Sequence, residues 1–406
     1  MTDCAPEAHG SADPDPDETK PDLYGAMWER QEQRAPELID EARKRRETVD
    51  RLFQELMRVP VGRRLGLVRQ LRFRSLDFMD RLLEESHAGQ LADPARACEL
   101  ARMAARLATL FEGDKAEVAT VLLARAFSLA GNARRLELRP QAAEALFAKA
   151  ARFLAGSTER AFYCRAVALL RWEQGRTDEA EALFQHATVL LACEGREREA
   201  ATCLLLLGLM FHEEMGDEDA LVLLVRGWSE MDREARPLVT LRGGLALAAC
   251  LAQAEQKERA RGVLREAWRF FAGVTDPQEM TRVYWREGRV LARLGEREEA
   301  LHVLESVRLQ LIAEPSPAEA ALVSLDLAVE LMESGRAGEI EALAEGLHTA
   351  FSTVAAMPLV AESLRAVAIL ARRGESGVQR SAENTAAGLR RMYRSYGLRI
   401  RPLPFA

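Results

Sequence analysis

Lysine is nearly missing from this chain. Only five of its 56 cationic residues are Lys (Lys20, Lys44, Lys115, Lys149 and Lys257), and the rest are Arg. Such a bias points to a GC-rich bacterial genome. Aromatic residues are also scarce, at 6%, and prolines number 15 in 406 residues. The strand formers Val, Ile and Thr occur singly or in pairs and never in longer runs, which argues against a sheet. No stretch approaches the roughly 18 consecutive apolar residues of a membrane span; the densest run, Leu204 to Phe211, suits a buried helix segment. The first twenty residues, MTDCAPEAHGSADPDPDETK, are acidic and hold no apolar core, unlike a secretory leader. A net charge of −7 argues against a globally basic nucleic-acid binder.

Reaction chemistry leaves no trace either. The six cysteines (Cys4, Cys98, Cys164, Cys193, Cys203 and Cys250) form no CxxC pair and read as reduced thiols of a cytoplasmic protein. The six histidines are scattered. His212 lies in FHEEM, which lacks the HExxH spacing that puts two imidazoles on one helix face for zinc. There is no GxxxxGK[ST], GxGxxG or GxSxG sequence and no EF-hand loop. The expectation is a non-enzymatic protein with no metal site and no cofactor.

What is abundant is Ala, Leu, Arg and Glu, the strong helix formers. The expected class is all-α. Residues 1–21 read as a disordered acidic tail, having nothing to bury. Residues 22–90 read as a helical cap or adaptor: Leu23 to Arg46 suits a long charged helix, Val49, Leu52, Phe53, Leu56 and Met57 recur at helical spacing, and Pro60 and Gly62 interrupt. From residue 91 the chain repeats itself. Five segments share a turn residue, four polar or variable residues and a small or apolar residue: Gly175-RTDE-Ala180, Met215-GDED-Ala220, Glu255-QKER-Ala260, Gly295-EREE-Ala300 and Gly335-RAGE-Ile340. Their last positions advance by forty each time. Ala143-EALF echoes Ala180-EALF, and Gly374 precedes a last helix near Val378 to Tyr396. Such periodicity marks a solenoid of helix hairpins, about eight here. Each turn residue would end a first helix where φ turns positive, acidic residues would open a second helix at the favourable end of its dipole, and the small residue would let the two helices approach.

These units resemble tetratricopeptide repeats. With Gly295 at the inter-helix turn, Tyr284 and Gly288 fall on the family's large and small positions of the first helix, and Ala300 and Leu304 on those of the second. Leu207, Gly208, Phe211, Ala220 and Leu224 fit equally well, as do Ala168, Ala180, Phe184 and Ala187. The resemblance spans residues 91–396 and implies a right-handed superhelical solenoid, followed by a tail at 397–406. Two departures stand out: a period of forty where the family usually has thirty-four, and few of the prolines expected after the second helix.

The resemblance also implies a groove lined by the first helices, at their second, fifth, sixth, ninth, twelfth and thirteenth positions. Counted from Thr281 these are Arg282, Trp285, Arg286, Arg289, Ala292 and Arg293. Arg242 and Gln253 from the preceding unit, and Asp326, Met332 and Glu333 from the following one, would join them. Arg125, Asn132, Arg165 and Trp172 occupy comparable places further back. Asp326 interrupts an apolar stretch and needs a partner, which Arg286 or Arg289 could supply. The Lys and Asn residues of the family's carboxylate clamp are missing, so that clamp's ligand is not expected. The expected role is a cytoplasmic scaffold binding a protein or peptide partner, its acidic groups meeting the Arg282 to Arg293 face. One alternative is a sensor of a signalling peptide or small anionic effector. Another is nucleic-acid binding through Arg63, Arg64, Arg69, Arg72 and Arg74, a cluster without interleaved aromatics that suits a solvated helix face equally well.

Overall fold

The computed structural model describes residues 23–214, 217–313, 316–350 and 357–373. The expected tails at 1–21 and 397–406 and the last helix near 378–396 lie outside the described residues. All regular structure among the described residues is helical, with no strand.

The chain divides into two compact units, one ending at Arg81 and one beginning at Leu82. The first holds α1 (Leu23–Met57), α2 (Val61–Leu67) and the start of α3 (Leu76–Ala88). α1 runs unbroken through Pro36. Pro60 sets the start of α2 with an extended ψ of 140°. Phe53, Leu56, Val68, Phe73 and Phe78 are each buried, and the Phe73 and Phe78 rings lie 5.2 Å apart.

The second unit is a consecutive stack of hairpins. Its helices are α4 (Pro94–Ala108), α5 (Asp114–Leu136), α6 (Pro140–Ala150), α7 (Ser157–Glu173), α8 (Thr177–Cys193), α9 (Glu197–Glu214) and α10 (Asp217–Glu230). They continue with α11 (Pro237–Gln253), α12 (Lys257–Trp268), α13 (Pro277–Leu294), α14 (Arg297–Ala313), α15 (Pro317–Glu333), α16 (Glu339–Ala350) and α17 (Met357–Arg373). Odd-numbered helices from α5 onward are the first members of hairpins and the even-numbered ones the second. Each first helix packs on its own second helix, and α11 also touches α9 and α13. The result is the all-α helical-repeat solenoid that the forty-residue period implies.

The repeat positions do what their chemistry suggests. Ala180, Ala220, Ala260, Ala300 and Ile340 are all fully buried. One turn into the contact, a side chain has no room. A Cβ at Gly288 would stand 2.9 Å from Leu304, and one at Gly208 would stand 2.8 Å from Leu224. Phe147 fills the same role against Gly131, at 2.8 Å. At the turns, Gly175, Gly295 and Gly335 have φ of 74°, 85° and 74°. The Gly295 N–H donates to the Ala292 carbonyl and the Glu296 N–H to the Leu291 carbonyl, both at 3.0 Å. This paired pattern is the Schellman motif, which satisfies the last carbonyls of the helix.

Two turns keep the geometry without the glycine. Glu255 and Leu138 adopt φ of 56° and 62° and carry the same pair of hydrogen bonds. Leu138 lies five residues before Ala143, as Gly175 does before Ala180, so the repeat extends one unit further back than the glycines indicate. The proline expectation needs correcting. Prolines do recur, but at the first position of the next hairpin: Pro237, Pro277 and Pro317 open α11, α13 and α15. They too are spaced by forty, at a position where a missing N–H costs nothing.

Left-handed backbone at a residue with a Cβ is strained, so Glu255→Gly should stabilise the fold by about 0.5–1 kcal/mol. A urea-unfolding midpoint that falls would contradict this account of the turn.

Candidate functional site

The face centred on α13 is where the sequence concentrates arginine, and the structure shows what occupies those arginines. α11 is buried at every residue from Val239 to Ala252, its sequence being almost entirely Leu, Ala and Gly. A helix buried all round leaves no open groove above it. Its one cation, Arg242, is 2% exposed and donates through Nε to Glu279 Oε1 at 2.7 Å. Glu279 also faces Arg282 at 3.7 Å, and Arg282 donates through Nε to Glu319 Oε1 at 2.7 Å. The Ser316 hydroxyl donates to the other Glu319 oxygen at 2.9 Å. A ladder of alternating charge therefore ties α11, α13 and α15 side by side. Burial and the neighbouring Arg286 hold Arg242 down to about 10, although Glu279 opposes them. Three surrounding guanidiniums keep the Glu279 carboxyl below its ordinary range despite its burial.

Arg286 reaches Glu213 on α9 at 3.4 Å, bridging over α11. Of the two arginines expected as partners of Asp326, Arg289 faces it and Arg286 does not. The indole Nε1 of Trp285 donates to Asp326 at 2.7 Å, and Arg289 follows at 3.9 Å. One turn along α15, Glu330 is 8% exposed with its Oε2 unpaired. Burial and the nearby Glu333 raise its carboxyl to about 7. Arg293 ends the row, half-buried in the last turn of α13. Gln253 is exposed at the end of α11, Met332 packs against the α15–α17 core, and Glu333 accepts from Arg297 at 2.8 Å.

Trp172 is not a lining residue. It is 4% exposed and sits in the main apolar cluster with Phe184 and Leu205, because its position on α7 turns toward α8 and α9. In the first unit, the basic cluster is partly spent locally. Arg64 donates to the Val59 and Met57 carbonyls at 2.7 and 2.9 Å, and Arg72 pairs with Glu55 at 2.5 Å. Arg63, Arg69 and Arg74 are exposed.

The open space lies elsewhere. A cavity of about 1300 Å³ is walled by the end of α3, by α5, and by the N-terminal stretches of α7, α9, α11 and α13. Its polar lining includes His87, Arg125, Asn132, Glu159, Arg165, Arg196, Glu199, Arg236 and Glu279. Its apolar lining includes Leu129, Phe162, Ala166, Leu169, Leu238 and Val274. Asn132 is held by Gln90 and Arg135 at 3.0 and 2.8 Å. Arg135, fully buried, pairs in turn with Glu173. Arg165 and Arg125, both picked out by their helix positions, are thus brought together; Arg236, which precedes α11, carried no such signal.

The electrostatics of this cavity are unusual for an acidic protein. Arg165 burial pulls its guanidinium below the ordinary range. Arg236 is brought down to about 9, first by the positive charge of Arg165 and then by burial. His87 is pushed down to about 4 by burial and by Arg236, Arg165 and Arg125, so its imidazole is neutral at pH 7. α7, α9, α11 and α13 present their N-terminal ends to the same space, adding partial positive charge.

Among the described residues, no group of three or more His, Cys, Asp or Glu side chains could hold a metal ion. No described helix is long and apolar enough to cross a membrane.

No protein-family model matches the chain, and no curated protein matches its sequence. Solved structures do match. One is a Rap protein complexed with Competence and Sporulation Factor, with a TM-score of 0.54 at 13% identity, covering 79% of this chain and 90% of the Rap chain. At that identity the likeness is one of fold.

Two measurements probe the α13 face. Glu279→Leu leaves Arg242 buried without its carboxylate and should cost ~3–5 kcal/mol, whereas Arg242→Met combined with Glu279→Leu should cost clearly less. Equal losses in urea unfolding would dissolve the ladder as a unit. For Glu330, the raised folded-state pKa means its stabilising contribution is complete below the unfolded value near 4.5 and lost as pH rises through about 7. Glu330→Gln should therefore raise Tm at pH 8, by about 2–4 °C, and leave it nearly unchanged at pH 4.

Proposed function

We propose that this protein is a non-catalytic, cytoplasmic binding module of bacterial origin. It holds an extended segment of a protein or peptide partner in the cavity walled by α5, α7, α9 and α11. One observation carries the reading. The cavity, about 1300 Å³, mixes apolar and hydrogen-bonding walls and exceeds the roughly 300–1,000 Å³ of sites for single small molecules. A stack of hairpins supplies such a surface readily, because each added repeat prolongs the same wall. The Rap protein of like fold is itself solved with a bound factor, which supports a binding role. The buried thiols Cys98, Cys164, Cys203 and Cys250 suit a reducing compartment.

Within this reading, the segment leaves the cavity across α13, where Trp285, Arg286 and Arg289 remain half-buried and within its reach. Their carboxylate partners hold them in place, so they offer an ordered rim rather than free charge.

Selection of random peptides on the full chain tests both parts. Ala166→Trp, which fills the cavity, should weaken selected peptides at least about tenfold, an effect of roughly 1.4 kcal/mol. Arg286→Ala with Arg289→Ala should weaken them less. Undiminished binding to Ala166→Trp places the partner outside the cavity and ends the proposal; undiminished binding to the double variant removes only the extension onto α13.

A further inference from the structure

Arg165 is a deeply buried cation that makes no ion pair among the described residues. It is 5% exposed, and its Nη1 has no hydrogen-bond partner. Its guanidinium lies 5.1 Å from the Phe162 ring, and Arg196 stands 4.9 Å from the same ring. A stacked ring orients a guanidinium but does not satisfy its N–H groups. Burying a cation with an open donor opposes folding unless something pairs with it. Every other deeply buried arginine among the described residues has a carboxylate within reach: Arg135 has Glu173 and Arg242 has Glu279.

Glu199, the carboxylate whose charge acts on Arg165, is already engaged. Glu199 pairs with Arg196 at 2.5 Å, and Glu279 belongs to the α11–α13–α15 ladder. Arg236, also on the cavity wall, lies near enough for the Arg165 charge to be the first cause of its lowered pKa. Glu199 offsets part of the positive charge of both guanidiniums, yet the buried Arg165 Nη1 still has no acceptor. The N-terminal stretches of α7, α9, α11 and α13 converge on the same space.

We infer that Arg165, with Arg236 beside it, is the seat of an oxyanion, a carboxylate or phosphate group gripped by the two guanidiniums inside the cavity. The inference rests on the cavity being the binding site. The oxyanion can belong to an acidic side chain or C-terminus of the bound segment, or to a free small anion. Guanidinium forks suit both groups, through paired N–H···O bonds.

Thermal unfolding of the full chain tests the seat, with inorganic phosphate and acetate each compared with chloride at matched ionic strength. Phosphate or acetate at about 20 mM should raise Tm by about 2 °C or more over chloride. Arg165→Gln should remove this rise while the unliganded protein melts no lower than wild type, since an unpaired buried charge is gone. Arg236→Gln should also remove the rise and leave the helical circular dichroism intact. No rise in the wild-type chain, or a full rise in Arg165→Gln, overturns the seat.

The source follows from the selected peptides. If one acidic residue matters to wild type but not to Arg165→Gln, the oxyanion belongs to the segment. A phosphate response without such a residue assigns a free anion. Peptides that bind wild type and Arg165→Gln equally overturn the seat and leave the segment reading standing. Phosphate stabilisation with no peptide selected does the reverse.

Discussion

Each hairpin of this protein depends on a contact too close for a side chain. Where Gly288 meets Leu304 and Gly208 meets Leu224, a single added carbon would collide at under 3 Å. That approach lets the second helix cover the apolar flank of the first. It also forces everything between successive first helices to be small or paired. α11 is the extreme case, built of Gly, Ala and Leu and buried along nearly its whole length.

The polar groups follow from the same constraint. A charge that falls between two stacked helices has lost its water and must find a partner on the next one. Arg242, Glu279, Arg282 and Glu319 meet that requirement by alternating across three helices. The arginines on α13 thus serve first to join neighbouring repeats. Glu330 and Arg165 do not meet it within the described residues: each keeps a buried polar atom unpaired. These two cases differ in setting. Glu330 can escape by taking up a proton, which its raised pKa makes easy. Arg165 has no such escape near neutral pH, and it borders the large cavity.

The likeness to a Rap protein is one of architecture. Stacked hairpins are a general means of presenting a long surface, and function on such a frame belongs to the side chains at a particular place along it. In this chain, helix dipoles and guanidiniums share a recess at the N-terminal ends of α7, α9, α11 and α13.

The helical-repeat class and the places of several turns were legible in the residues because turns and close contacts are local demands. A positive φ favours Gly175, Gly295 and Gly335, and a packed helix pair demands Ala180 or Ala300. Leu138 hid its turn because it tolerates strain instead of avoiding it, whereas Glu255 was legible from its place in the forty-residue spacing, which the prolines at 237, 277 and 317 share. The positions of Arg125 and Arg165 on their helices were also readable. What the sequence could not determine was which inward residues face open space. That depends on how far neighbouring first helices stand apart, a distance set by contacts between adjacent hairpins. Only the tertiary structure placed Arg286 over α11, turned Trp172 into core and brought Arg236 beside Arg165, because each outcome joins residues from different hairpins.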